Sequence, residues 1–482
     1  RRQQPYAMMH SARGRRGGRH STAGSWGGSP ARSGYRHASK PARPPPLHGR
    51  GSYFRPWTAY TPPGDGRLPR FKAVSYNLLA PSLVEEERYR RCLPEDLHWE
   101  IRRLRLHAEL EAQNADILCL QEIDASDFDA FWLPRMLEGG FAGAYKQRTG
   151  SKTDGVAIFW RRCVFGDDPL SVCPVEYLDV EHIEFMDRDN VGLVVTLEVT
   201  GAAGSTERPR ITVANTHLLF NVNRGDIKFG QLLKLLAVLE EERERFKSCT
   251  ILAGDFNSIP SSPLYSFLST GALALRGLDR RFLSGQKLDP SFIGLFDPQR
   301  RRSRQPGASN GKRQQRLPSP DCERHAGHGT APGCHRTMEP GTPSLRAEDC
   351  ERVFVQDWDG KNPWAMGPGM MPQTVCHWSA EFHHGLGFRS AYAQSSTPTC
   401  TGEPAASHLH VTDGWYGCVD YLWHGDAPVV DGHRSWELVC TGVLELPHLS
   451  QIYWVPIPSK GAPSDHLLIA AEFQLEGPSA GD

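Results

Sequence analysis

The 482-residue chain has no apolar run approaching the ~18 residues of a membrane span, and no short apolar core of the kind found in a secretory leader. A membrane protein is therefore not expected. Cysteine is sparse at 12 residues, and Cys119 and Cys163 lie in or beside strand-like apolar runs, as reduced structural thiols do. That excludes a disulfide scaffold and fits an intracellular protein, cytoplasmic first, with nucleus or mitochondrion as alternatives. Net charge is also missing, because 55 Lys and Arg balance 55 Asp and Glu. The balance hides a local absence: residues 1–66 hold twelve Lys or Arg and one acid, Asp65. This arm, with RGRRGGR at Arg13–Arg19 and PARPPP at Pro41–Pro46, has too few large apolar residues to fold alone. A disordered tail that touches RNA is expected. An Arg-rich organelle presequence is the alternative, and the many Gly and Pro residues argue against its amphipathic helix.

Periodicity is what residues 284 to about 373 lack. RRRSR, GKRQQR and many Pro and Gly residues replace it, so a disordered insertion is expected there. Cys322, His325, His328, Cys334 and His335 fall inside it, but their spacing matches no common zinc site. Arm and insertion are the expected docking segments for RNA or protein partners.

Elsewhere the texture alternates strands with helices. Phe71–Leu79, Asp116–Leu120, Val156–Trp160, Val191–Val199, Ile211–Leu219 and Thr250–Ala253 read as strands, as do Cys418–Trp423 and His466–Phe473. Pro94-Glu95-Asp96 reads as a helix start, with Leu97, Ile101, Leu104 and Ala108 at helical spacing. Phe229–Phe246 is a clearer helix, placing Phe229, Leu232, Leu233, Leu236 and Leu239 on one face. This alternation predicts an α/β domain, without choosing between a layered sandwich and a doubly wound sheet.

Polar residues recur where these strands end. Asn77 lies in VSYNLL, Glu122 in ILCLQE, Asp154 in KTDG, and Asn215 with His217 in VANTHL. Asp255 and Asn257 lie in GDFN, Asp420 in CVDYLW, and Asp465 with His466 in SDH. Each has an ordinary structural explanation: a cap, a loop bond, a core histidine. In extended backbone, however, residues i and i+2 point to one side, so Asp255 and Asn257 could converge on one cation or phosphate. Taken together, the set is the oxygen-rich cluster that Mg²⁺ prefers, with two histidines added for phosphate or proton work.

SYNLLAPSL, DILCLQE, RTGSKTDGVAIF, MDRDNVGLVV, VANTHLLFNVNRGDIK, GDFNSIPSSPLYSFL, VDYLW and SDHLLIAAEF occur in the order found in a known family. They resemble the endonuclease/exonuclease/phosphatase superfamily, specifically its deadenylase-like, nocturnin-like branch, with the Angel homologues the nearest likeness. The resemblance covers about residues 70–284 and 374–475. It implies a four-layer α/β sandwich, with two mixed sheets face to face and helices outside. It also implies a catalytic domain over 67–478, interrupted at about 284–373 and preceded by the basic arm. By the same likeness Glu122 and Asp465 belong to a Mg²⁺ site, with Mn²⁺ as a substitute. Asp255 and Asn257 would orient the attacking water and hold the phosphate or a second metal. Asp420 would orient His466, His217 would stabilise the developing charge, and Asn77, Asn215, Asp154 and Arg224 would line the substrate cleft. One departure stands out: Val222 follows Phe220-Asn221 where the branch usually has Pro, which bears on nucleotide preference.

The expectation is a monomeric, Mg²⁺-dependent phosphoester hydrolase acting on RNA 3′ ends, either as a 3′–5′ exoribonuclease or on terminal 2′,3′-cyclic phosphates. A catalytically weak RNA-binding adaptor and a small-molecule phosphoesterase are the competing expectations.

Overall fold

Strands buried on both faces read as unbroken apolar runs, and three of this chain's runs are of that kind: Ala-Ile-Phe-Trp before Arg161, Val-Gly-Leu-Val-Val from Val191, and Cys-Thr-Ile-Leu-Ala from Cys249. A computed structural model of the chain describes residues 55–60, 70–177, 188–200, 208–287, 381–393, 402–410, 415–429, 435–452 and 455–477. Most of the basic arm lies outside the described residues, as do residues 288–380 with Cys322, His325, His328, Cys334 and His335.

The strands in chain order are β1 (Trp57–Ala59), β2 (Arg70–Asn77), β3 (Ile117–Asp124), β4 (Phe141–Gln147), β5 (Asp154–Arg161), β6 (Ser171–Glu176), β7 (Val191–Glu198), β8 (Arg210–His217) and β9 (Cys249–Asp255). They continue as β10 (Ala272–Ala274), β11 (Glu381–His383), β12 (Arg389–Ser390), β13 (His408–His410), β14 (Trp415–Gly417), β15 (Asp420–Gly425), β16 (Glu437–Leu444) and β17 (Ile469–Glu476). Seven form one sheet in the order β1-β16-β17-β2-β3-β5-β4, and six form a second in the order β12-β15-β9-β8-β7-β6. Both sheets are mixed. Each has one parallel pair, β2 with β3 and β8 with β9, joined by a crossover helix: Trp99–Gln113 in the first sheet, Gly225–Phe246 in the second.

Three apolar layers separate these elements. Between the sheets, Phe71, Ile117 and Ile158 meet Leu193, Val213 and Ile251. Outside the first sheet, Leu106 and Leu110 of its helix pack with Val74, Leu118 and Phe159. Outside the second, Leu232, Leu236 and Leu239 pack with Val194, Ala214 and Leu252. Helix, sheet, sheet and helix are the four layers of the expected sandwich.

Three local expectations change. The arm does not extend to residue 66, because β1 pairs with β16 and the Arg55 guanidinium donates to the carbonyls of Glu445 and Leu468. The insertion does not begin at Ser284, since Ser284 and Gln286 are buried. Finally, the first crossover helix is split, with Pro94–Leu97 ending at an extended His98 before Trp99–Gln113 begins. The break resets the helical phase, so Arg102, Leu106 and Leu110 face the core while Ile101 and Leu104 are exposed.

The polar strand ends all fall at one end of the sandwich. β2, β8 and β9 run toward it and finish on Asn77, His217 and Asp255, and β3 carries Glu122 two residues before its end; β5 and β15 run antiparallel and begin there with Asp154 and Asp420.

Candidate active site

The first sheet presents Glu122 through a bulge. The pairing of β3 with β5 shifts register between Gln121 and Ile123, and Glu122 between them has φ of 56°. Such a backbone is costly for a non-glycine residue and re-aims its side chain. Its neighbours turn to structural work. Gln121 Nε2 donates to Asn215 Oδ1 at 2.7 Å, and Asn215 Nδ2 donates to the carbonyls of Leu120 and Ala157. Asn215 is thus fully buried behind the site, tying one sheet to the other. Asn77 Nδ2 donates to Glu122 Oε1 at 2.9 Å and approaches Asp255 Oδ2 at 3.3 Å, so one carboxamide spans carboxylates from both sheets.

The second sheet places Asp255 with a glycine in front of it. Gly254 has φ of 142°, and a Cβ there would lie 2.0 Å from the Thr216 carbonyl oxygen of β8. Only glycine lets the two parallel strands close together. Asn257 has φ of 46°; its amide donates to Asp255 Oδ1 at 2.9 Å and its Nδ2 to the Leu218 carbonyl at 3.0 Å. The pair in GDFN is therefore a tight turn whose capping contact also orients the carboxylate.

Two imidazoles flank Asp255. His217 Nε2 lies 3.5 Å from Asp255 Oδ2 while its Nδ1 lies 3.9 Å from Glu122 Oε1. His466 Nε2 lies 3.7 Å from the same Asp255 oxygen, and its Nδ1 bonds Asp420 Oδ2 at 2.8 Å. Ser407 Oγ donates to Asp420 Oδ2 at 2.6 Å and accepts from the amides of Val419 and Asp420. Asp420 is so held by a hydroxyl that is itself held by backbone.

Asp465 and Asp154 border this cluster. Tyr89 donates its hydroxyl proton to Asp465 Oδ2 at 2.7 Å, and His408 Nε2 lies 3.4 Å from the same oxygen. His408 stacks on His466 with centroids 4.1 Å apart and planes 4° from parallel. Imidazole lone pairs lie in the ring plane, so an ion shared by these rings would sit about 2 Å out of both planes, as far as a metal–nitrogen bond is long. The stack is thus electrostatic packing rather than a cation site. Asp154 is buried, 3.4 Å from Arg148, with its Oδ2 lacking a hydrogen-bond partner. Arg224 stays apart from the cluster, its guanidinium forked onto Asp226 at 2.9–3.2 Å.

Burial and neighbouring charge set the protonation pattern. Glu122 is pushed up to about 8 by burial and then by the charges of Asp465 and Asp154. Asp255 is pushed up to about 7 by burial and Asp420, with His466 opposing. Burial also works against a charged His466, but Asp420 and Asp255 outweigh it and raise the imidazolium to about 10. His217 is lowered well below the ordinary histidine value by burial and by Arg148 and His466, so it is a neutral ring. Burial opposes ionisation of Asp465, yet His408, His466 and Tyr89 hold it far below the usual carboxylate range. A neutral imidazole, a charged imidazolium and a carboxyl titrating near neutrality are the groups that proton transfer and oxyanion stabilisation need.

The oxygen donors around Glu122 fit a hard divalent cation. Buried carboxylates repel one another there, and among the described residues Asp154 Oδ2 and Asp420 Oδ1 have no hydrogen-bond partner.

Sequence reading overlooked several of these side chains. His408 and Ser407 lie in a short segment of little periodicity, and no signal there pointed to the site. Tyr89 follows charged residues that read as loop. Lys228 lies inside NRGDIK, where nothing in the spacing marks it, although its Nζ donates to the Asn257 carbonyl at 2.7 Å.

With this geometry in place, comparison with known proteins assigns the family. The Endonuclease/Exonuclease/phosphatase family matches residues 74–466. The chain belongs to this family. It is a phosphoester hydrolase by that membership. Among curated relatives, human protein angel homolog 2 is 32% identical over 421 residues, covering 84% of this chain and 69% of its own length. Human protein angel homolog 1 is 32% identical over 451 residues, covering 86% of this chain and 64% of its own length. The carbon catabolite repressor protein 4 homolog 3 of Arabidopsis thaliana is 30% identical over 427 residues, covering 86% of this chain and 78% of its own. A solved structure of ANGEL2, a 2′,3′-cyclic phosphatase in complex with adenosine-2′,3′-vanadate, superposes with a TM-score of 0.61 at 29% identity, covering 88% of this chain and 100% of that one.

Proposed function

We propose that the protein is a Mg²⁺-dependent phosphoesterase that hydrolyses 2′,3′-cyclic phosphates at RNA 3′ ends. The observation that carries this reading is the convergence of Asn77 and Glu122 with His217, Asp255 and the Asp420–His466 pair at one end of the two sheets. The solved relative with a like fold acts on that class of phosphate.

Glu122 would hold the cation, with the charge of Asp465 and the carboxamide of Asn77 beside it. When bound, the cation neutralises phosphate charge and polarises phosphorus toward attack. Asp255, held by the Asn257 amide, orients a water and takes its proton. The water oxygen forms a bond to phosphorus while the bond to the 2′ or 3′ oxygen breaks, opening the ring; the departing oxygen takes a proton from the His466 imidazolium, and the Asp255 carboxyl, 3.7 Å from His466 Nε2, returns one and is ready for the second water. His466, kept charged by Asp420 and Asp255, places a cationic N–H at the phosphate, and neutral His217 donates a second hydrogen bond to the developing negative charge. Attack by a second water on the opened monoester releases inorganic phosphate and leaves a terminal diol. Asp154 supplies charge at the edge of the cleft, Asn215 positions Gln121 and both sheets, and Arg224 braces the loop after His217 through Asp226.

The test uses purified protein with Mg²⁺ and three RNAs of one sequence, ending in a 2′,3′-cyclic phosphate, a 3′-phosphate or a 3′-hydroxyl poly(A) tail. Full-length RNA with a dephosphorylated end is expected from the first. A ladder of shortened products would establish an exonuclease instead, and three unchanged RNAs across a range of divalent ions would overturn the hydrolytic reading of this chain.

A further inference from the structure

Lys228 breaks three ordinary preferences at once. It is fully buried, it sits in the opening turn of the helix Gly225–Phe246 where the helix dipole disfavours a cation, and its hydrogen bonds go to two neutral oxygens. Those oxygens are the Asn257 carbonyl at 2.7 Å and Gln286 Oε1 at 2.6 Å. A methionine would fill the same space without burying charge. Violations of this kind, held in place by packing, gather at sites that work rather than at sites that merely hold.

The held carbonyl belongs to the residue that fixes the catalytic carboxylate. Asn257 has φ of 46°, its N–H donates to Asp255 Oδ1 at 2.9 Å, and its carbonyl accepts from Lys228. Both polar groups of this one peptide segment are thereby committed, one to Asp255 and one to the helix behind it. Without the amine the carbonyl would be buried and unsatisfied, and the turn would relax toward a more ordinary backbone. The Asn257 N–H would swing away and Asp255 would lose its aim.

We propose that Lys228 is a positioning residue for the reaction, locking the Asn257 turn so that Asp255 stays oriented. It rests on the phosphoesterase reading above for its kinetic consequence, but not for its structural one. Two variants separate the possibilities: Lys228→Met removes every donor at similar volume, and Lys228→Gln keeps an uncharged N–H donor. Each is measured for kcat and KM on RNA with a 2′,3′-cyclic phosphate end, for melting temperature, and for hydrogen exchange of the Asn257 amide.

The expected result for Lys228→Met is a kcat loss of about 10- to 100-fold with KM within about twofold, since small misplacement of a reacting group costs that much. Exchange at the Asn257 amide should rise at least about tenfold while the strand amides of Thr250–Ala253 keep their protection. Lys228→Gln should recover part of both. If Lys228→Met does not fold, Lys228→Gln carries the same two comparisons against the wild type. Unchanged kcat and unchanged Asn257 exchange in a folded variant would overturn the proposal, as would equal losses in both variants that track melting temperature alone. Should the wild type prove inactive on this RNA, loosened Asn257 exchange would still support the positioning role while the substrate reading failed.

Discussion

The two halves of the sandwich repeat one device with different chemistry. In each, a parallel strand pair is joined by a crossover helix, and the strand ends deliver one carboxylate and one partner: Asn77 with Glu122 in the first sheet, His217 with Asp255 in the second. Each helix also buries one cation against backbone carbonyls near the site. Arg102 donates to Leu78, to Leu79 and, across the chain, to Pro463, whereas Lys228 reaches a single backbone carbonyl, that of Asn257. A planar guanidinium can fork onto several acceptors and keeps its charge, while an amine buried in this way is lowered to about 7. Arg102 therefore holds an assembly of loops, whereas Lys228 holds the one turn that orients the proposed base, Asp255. Loss of the buried Arg102 should appear mainly as stability, and loss of the buried Lys228 mainly as turnover.

The largest expected effect lies in the second half. Asp255→Asn removes the proposed base while keeping shape, so kcat should fall by about three orders of magnitude with RNA affinity retained. Single-turnover kinetics on RNA with a cyclic end, together with a binding isotherm, checks this. The buried cation of the first half should answer differently. Arg102→Met strips donors from three buried carbonyls and should lower stability by about 3 kcal/mol, seen as a shifted denaturant midpoint. A folded Arg102→Met protein with intact stability but lost turnover would erase the contrast between the halves.

Protonation sharpens the comparison. Glu122 and Asp255 have raised values, about 8 and about 7, so the folded state binds their protons more tightly than the unfolded chain does. Their contribution to stability is therefore highest at acid pH and falls as pH rises through about 8. In chelator, melting temperature should drop between pH 6 and pH 8.5. Added Mg²⁺ should raise it more at pH 8.5 than at pH 6, because cation binding must displace those protons. An equal Mg²⁺ effect at both values would show that neither carboxyl faces the cation. The smallest effect belongs to the arm. Deletion of residues 1–50, which spares β1, should raise KM for long RNA a few-fold at low salt and leave kcat unchanged, as diffuse charge contacts do. Loss of kcat on a short RNA would contradict that.

Much of this was legible because strand-end carboxylates and strand periodicity are local signals. GDFN, VANTHL and SDH each announced a polar residue where a buried strand ends, and the second crossover helix showed much of its apolar face in Phe229, Leu232, Leu233, Leu236 and Leu239, which Ile227 and Leu235 complete. The first helix misled, because one extended residue, His98, resets the phase and hides a charged Arg102 in the core. β1 was invisible for a related reason: Trp57–Ala59 is too short to show a period, and only its pairing with β16 defines it. Ser407 and Tyr89 from loops, and His408 from the three-residue strand β13, reach the site through contacts distant in sequence, which spacing does not encode.

Glu122→Gln tests the central claim most directly, because it alters charge at the point where the two sheets meet and leaves size and hydrogen-bonding shape alone. Mg²⁺-dependent turnover of RNA with a 2′,3′-cyclic end, RNA affinity and melting temperature are measured on one preparation. The account predicts a loss of about two or more orders of magnitude in turnover, weakened Mg²⁺ dependence and nearly unchanged RNA affinity. Near-normal turnover at limiting Mg²⁺ would contradict it.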